Sequence, residues 1–190
     1  GMVRGLMRIG ERLSSLAISD IRAMTRACDA VQGINLGQGV CDLPTPPPVA
    51  DAAVAAVQAN RSIYAPPEGL AALREAVARI AQDDYGLAVD PAAEVVVTSG
   101  ATGGFAATVM ALLDPGDEVV LFEPYYGYHL NTVIALGLTP VLAPLRAPDW
   151  SVDWEALSAA ITPRTRALVI CTPANPCGKV WRPDELDRVL

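Results

Sequence analysis

Apolar residues recur at helical spacing over residues 49–59, where Val49, Ala53, Val54 and Val57 share one stripe, and over residues 70–85, where Leu73, Val77 and Ile80 do. Proline at positions 46–48 suits the opening of the first of these helices. An earlier helix is expected from a Ser19-Asp20 cap to about Ala30, closed by Gly33, and Ile34-Asn35-Leu36 reads as short and strand-like. After Asp90-Pro91 the rhythm changes. Apolar runs of strand length at residues 95–98, 118–122, 140–145 and 167–171 alternate with helical patterns at 105–113, 128–136 and 153–161. Such alternation predicts an α/β fold of three layers, α/β/α, around a mainly parallel sheet. Residues 184–190 begin as a helix whose Leu186, Val189 and Leu190 form a stripe with nothing to cover it, so the natural polypeptide is expected to continue and this chain to be its front half.

The loops that leave the carboxyl ends of parallel strands line the edge where ligands bind in such folds. Ser99-Gly100-Ala101-Thr102-Gly103-Gly104 follows the run at 95–98 and opens a helix, whose first N–H groups have no partner inside it. An anion, most simply a phosphate, suits that position. Gly100 and Ala101 permit close approach of the backbone, and the Thr102 hydroxyl adds a donor. The spacing departs from G-x-G-x-x-G and lacks a G-K-[ST] ending. By itself the loop does not separate a phosphate site from a tight turn that binds nothing. Two further loops follow predicted strands, Glu123-Pro124-Tyr125-Tyr126-Gly127-Tyr128-His129 and Thr172-Pro173-Ala174-Asn175-Pro176-Cys177-Gly178-Lys179.

Composition narrows the classes. With 52% hydrophobic and 18% charged residues among 190, the chain can bury a sizeable core, and a net charge of −7 with no basic cluster argues against a nucleic-acid surface. Cys28, Cys41, Cys171 and Cys177 show no C-x-x-C pair and no histidine at metal spacing, which favours reduced, packed thiols and a cytoplasmic setting. No apolar run reaches the length of a spanning helix, no signal-peptide layout is present, and Gly1-Met2 reads as an expression scar. His129, the sole histidine, is expected to be structural or exposed.

Five ordered blocks, INLGQGVCDLPTPP, YAPPEGLAALREAV, VVVTSGATGG, LLDPGDEVVLFEPYYGYH and TPANPCGK, resemble the class I and II aminotransferases, pyridoxal 5′-phosphate enzymes of fold type I, over residues 34–190. The likeness is strongest to the branch with kynurenine and bacterial aspartate aminotransferases. It implies that residues 1–45 form an N-terminal arm and a segment of a small domain, and that residues 46–190 are the first part of the cofactor-binding large domain. Gly100, Ala101 and Thr102 would hold the cofactor phosphate, Tyr126 would stack on the pyridine ring, and Asn175 would donate its amide to the phenolic oxygen. Tyr64 would reach the phosphate of a neighbouring subunit in a homodimer with shared sites. Gly39 and Asn175 would contact the substrate carboxylate. Cis peptides are implied at Asn175-Pro176 and Glu123-Pro124.

Amino-group transfer between an amino acid and a 2-oxo acid needs a lysine to bind the cofactor and shuttle a proton. Lys179 is the only lysine, yet in the resembled family the lysine after N-P-x-G is not that residue, so the Schiff-base lysine is expected beyond Leu190 and no catalytic residue is assigned here. Thr102 stands where some bacterial aspartate aminotransferases carry a lysine for the distal carboxylate, which favours a broader or neutral amino-acid substrate. The blocks are shared with sister enzymes such as carbon–sulfur lyases and decarboxylases, and with the aminotransferase-like sensor domains of some transcription regulators.

Overall fold

A computed structural model describes residues 10–16, 20–39 and 41–190. Ser19 of the expected cap lies outside the described residues. Two compact units make up the chain, Asp20–Gly104 and a second formed by Phe105–Leu190 with the N-terminal 3₁₀ turn Glu11–Ser15.

The second unit is built on strand β1 (Glu118–Glu123), flanked in parallel by β2 (Thr139–Arg146) and β4 (Thr165–Val169); β3 (Ser151–Val152) pairs antiparallel with the far side of β2, so the order is β3-β2-β1-β4. Val119, Val120 and Leu121 are 0–1% exposed, as a β-branched central strand covered on both faces requires. Successive residues point to opposite faces. Val120 and Phe122 enter one core with Leu157 of α6 (Trp154–Ala160), Trp181, and Leu186 and Val189 of α7 (Pro183–Val189). Val119 and Leu121 enter the other with Val109 of α4 (Gly100–Leu112) and Val133 of α5 (Gly127–Ala135). These are the three layers that the alternation implies. Leu186 and Val189 are covered by this core, contrary to the uncovered stripe expected of them, while Leu190 is exposed.

The first unit carries α1 (Asp20–Ala30), α2 (Pro47–Gln58) and α3 (Ala71–Tyr85), and α4 starts at its end. Gly86, left-handed at φ +68°, closes α3. The apolar stripes of α2 and α3 hold no buried residue. Residues 95–98 are extended but join no strand ladder, contrary to the expected strand; the Val97 N–H donates to Glu68 O at 3.0 Å in place of a ladder. A strand exists only where a neighbour presents matching N–H and C=O groups, and an apolar run supplies half of that condition. Residues 34–36 likewise form no strand, and Ile34 and Leu36 are exposed.

At the amino end of β1 the buried Glu118 carboxylate accepts hydrogen bonds from the Thr162 and Thr165 hydroxyls and pairs with Arg164 at 2.6 Å. The Thr162 hydroxyl does most to lower its pKa; burial opposes this, and Arg164 adds to the lowering, leaving Glu118 below the ordinary glutamate value. A folded-state value below the unfolded one means that the stabilisation is full above the unfolded value and is lost as pH falls through the folded one. Glu118→Gln in the whole protein should therefore lower the melting temperature at pH 7 and flatten its fall between pH 5 and 3, both read by calorimetry; an unchanged acid limb would exclude the assignment.

Candidate active site

Inside the sheet-bearing unit, the loops leaving β1 and β4 meet at one recess, lined by Leu121, Phe122, Pro124, Tyr125, Tyr126, His129, Leu145, Val169, Cys171, Ala174, Asn175 and Trp181. Burial of β1 on both faces leaves its carboxyl end as the place where polar side chains can gather. Tyr126 sits at the cap position of α5 in extended backbone and is half-buried. Asn175 is exposed, and its amide makes no hydrogen bond to another described residue. Glu123-Pro124 and Asn175-Pro176 are both cis, as the resemblance implies; Ala147-Pro148 and Thr172-Pro173 are cis as well.

The ring of Tyr126 lies among aromatic neighbours. Its centroid is 5.3 Å from His129 at 84° and 5.2 Å from Tyr128 at 38°, and His129 in turn lies 4.5 Å from Phe105. Edge-to-face and tilted pairs of this kind hold ring orientation through the quadrupole of each face. Burial pushes the His129 pKa down, so the imidazole is neutral at pH 7 and serves as a packing surface for Tyr126. Of the two places expected for His129, structural or exposed, the packing fits the first, and the residue stands within the recess. The signal that could have placed it there is its spacing of three from Tyr126 at a helix start.

Lys179 is buried and paired with Glu185 at 2.9 Å, which agrees with its exclusion as the cofactor-binding lysine. Trp181, which no sequence motif singles out, also lines the recess, edge-on to Phe122 at 4.6 Å.

The remaining predicted residues belong to the unit Asp20–Gly104. Gly100 opens α4 at φ +69°, its N–H donating to Thr98 O at 2.8 Å while the Thr98 hydroxyl donates to Gly100 O at 2.9 Å. Ser99, Gly100, Ala101 and Thr102 are exposed, so the free N–H groups of this helix start face solvent. A Cβ at Gly104 would meet the Thr98 hydroxyl at 3.2 Å, so a small residue there keeps the turn tight. Gly39 is exposed in a loop tied to α1 through Asn35, whose amide donates to Thr25 Oγ1 at 3.0 Å and whose carbonyl accepts the Gly37 N–H at 2.9 Å. Tyr64 is fully exposed. Its loop is fixed at the far end by Arg74, which donates to Gly69 O, Pro91 O and Ala92 O at 3.3, 2.7 and 3.2 Å. Among the described residues no cluster of histidine, cysteine or carboxylate could hold a metal ion, and no helix is long and apolar enough to cross a membrane.

Gly69 has a φ of +96°, and a Cβ there would stand 2.5 Å from Val97 Cγ2. Gly69→Ala should cost about 1–3 kcal/mol in the whole protein, measured as a lowered denaturant midpoint; a neutral effect would show that this loop is free to move away from Val97.

The family model for aminotransferases of class I and II matches residues 31–190. A probable N-succinyldiaminopimelate aminotransferase of Mycobacterium tuberculosis is 40% identical over 92% of this chain and 45% of its own length. A methionine aminotransferase of Escherichia coli is 33% identical over 90% and 44%. The solved structure of N-succinyldiaminopimelate aminotransferase from Mycobacterium tuberculosis superposes with a TM-score of 0.89 at 38% identity, covering 96% of this chain and 48% of that one. The chain spans about half the length of the curated relatives it matches.

Proposed function

Because the chain belongs to the class I and II aminotransferases, we propose that the whole protein moves an amino group from an amino acid to a 2-oxo acid with pyridoxal 5′-phosphate. The carrying observation is the recess at the carboxyl ends of β1 and β4, where a half-buried aromatic ring and an uncommitted amide line one wall. Two of the groups that the cofactor needs line the recess, a flat ring for stacking and an amide for an anionic oxygen, and in the other unit the helix start at Gly100 has the chemistry to take a phosphate. When bound, the cofactor supplies an electron sink for the charge left on Cα after proton loss.

The chain's own residues bind and orient. Tyr126 offers its ring face, worth about 0.5–1.5 kcal/mol, without spending a hydrogen bond, and its aromatic neighbours fix its tilt. Asn175 donates its amide to the phenolic oxygen, favouring the anionic form, and contacts the substrate carboxylate. At the start of α4 the Gly100 N–H is already given to Thr98 O, so Gly100 serves the phosphate by letting the backbone approach, and the N–H groups of Ala101 and Thr102, with the Thr102 hydroxyl, hold it. Gly39 contributes to the carboxylate site, and Tyr64 reaches the partner's phosphate in a homodimer, a role compatible with its full exposure. Residues 1–45 serve as an arm and small-domain segment, and residues 46–190 as the opening part of the cofactor domain. The proton-shuttling lysine comes from outside this chain. Thr102, neutral and short, favours a broad or uncharged side chain on the substrate, and four cysteines without disulfides suit the cytoplasm.

Added pyridoxal phosphate should give the whole protein a visible absorbance band, and amino acid plus 2-oxo acid should both be required for turnover. Asn175→Ala should lower kcat/KM roughly ten- to hundredfold, the loss of one hydrogen bond to a charged oxygen. Ammonia or thiol release without any 2-oxo acid would assign the protein to the lyases instead.

A further inference from the structure

Lys179 and Glu185 form a buried ion pair that the reading above leaves without a role. The ammonium donates to both carboxylate oxygens, at 2.9 and 3.2 Å, and lies 5.0 Å from the centroid of the Trp181 ring. Glu185 Oε2 also accepts the Arg182 backbone N–H at 3.0 Å, the hydrogen bond that caps α7. One carboxylate therefore joins the end of the loop 172–179 to the first turn of a helix packed into the core. Burial pushes the Glu185 carboxyl up, but the Arg182 N–H and the Lys179 and Arg182 cations outweigh it and leave it below the ordinary value, so Glu185 is a carboxylate at pH 7.

The loop closes on itself above this anchor. Ala174 N–H donates to Lys179 O at 2.8 Å, Gly178 N–H to Ala174 O at 2.7 Å, and Trp181 N–H to Thr172 Oγ1 at 3.2 Å. Asn175 lies inside this ring of bonds, and its own amide makes no hydrogen bond to another described residue. Its placement is inherited from the residues at the base. Stability alone gives little reason for the pair, since well-packed apolar residues commonly replace buried ion pairs without loss.

We propose that Lys179 and Glu185 are positioning residues, holding the loop 172–179 so that the Asn175 amide stays aimed into the recess beside Tyr126 at the phenolic oxygen of the cofactor. This rests on the role given to Asn175 under the proposed function. The variants are Lys179→Met/Glu185→Leu, Lys179→Gln, Lys179→Arg and Asn175→Ala, each made in the whole, cofactor-loaded protein. The readouts are melting temperature and the pH midpoint of the cofactor's visible spectrum. Loss of an amide donor to an anionic oxygen raises that oxygen's proton affinity, so Asn175→Ala should move the midpoint upward by about tenfold in proton affinity. The apolar double variant should melt within a few degrees of wild type and still move the midpoint upward by at least threefold, whereas Lys179→Arg should keep the wild-type midpoint. If the double variant does not fold, Lys179→Gln carries the test with the same expected direction. A folded variant with a wild-type midpoint, beside a shifted Asn175→Ala, overturns the positioning role alone. A wild-type midpoint in Asn175→Ala overturns the assignment of Asn175 and the positioning role with it.

Discussion

Strand β1 is buried on both faces, and the rest of the sheet-bearing unit depends on that double burial. Val119 and Leu121 fill one core and Val120 and Phe122 the other, with helices closing each side. No ionisable side chain could occupy the middle of such a strand without losing its hydration. Chemistry is displaced to the strand's ends, and the two ends are treated differently. The amino end carries the charge-satisfied Glu118, with two hydroxyls and a guanidinium around it. The carboxyl end leads through a cis proline to Tyr126.

The recess itself holds little charge. Aromatic and aliphatic side chains, a neutral imidazole, a thiol and one amide make its described wall, with no Asp, Glu, Lys or Arg among the lining residues. A wall of this kind suits a flat, partly apolar ligand, whose orientation is set by stacking and whose polar atoms are met by few donors.

Apolar patterning made β1, β2, β4 and the helices α2 to α7 legible, because each contributes a pattern of its own, while α1 was legible from its cap and its closing glycine. What stayed hidden depends on neighbours. Residues 95–98 have the composition of a strand and lack a ladder, whereas the two-residue β3 has no pattern to detect and exists because the turn at Trp150, with φ +56°, returns the chain alongside β2. The cover over Leu186 and Val189 comes from a core assembled from β1, β2, β3, α6 and Trp181, which no pattern within residues 184–190 announces. At the site, Tyr126 and Asn175 were readable from their place in blocks shared with a family. His129 left a faint trace, its spacing of three from Tyr126, whereas the contact of Trp181 with Phe122 joins residues far apart in the chain and leaves none.

The two borders of the sheet are unlike. On one side β2 is finished by β3, a stub too short to recruit another strand. On the other, β4 has β1 as its sole ladder partner among the described residues, leaving a row of N–H and C=O groups along residues 165–169 unmatched by a fifth strand. A row of that kind is a template for backbone pairing with any extended segment, including the same segment of another molecule. Produced in isolation at high concentration, this polypeptide is accordingly prone to self-association along β4, and a solubilising strategy for it should begin by shielding that border.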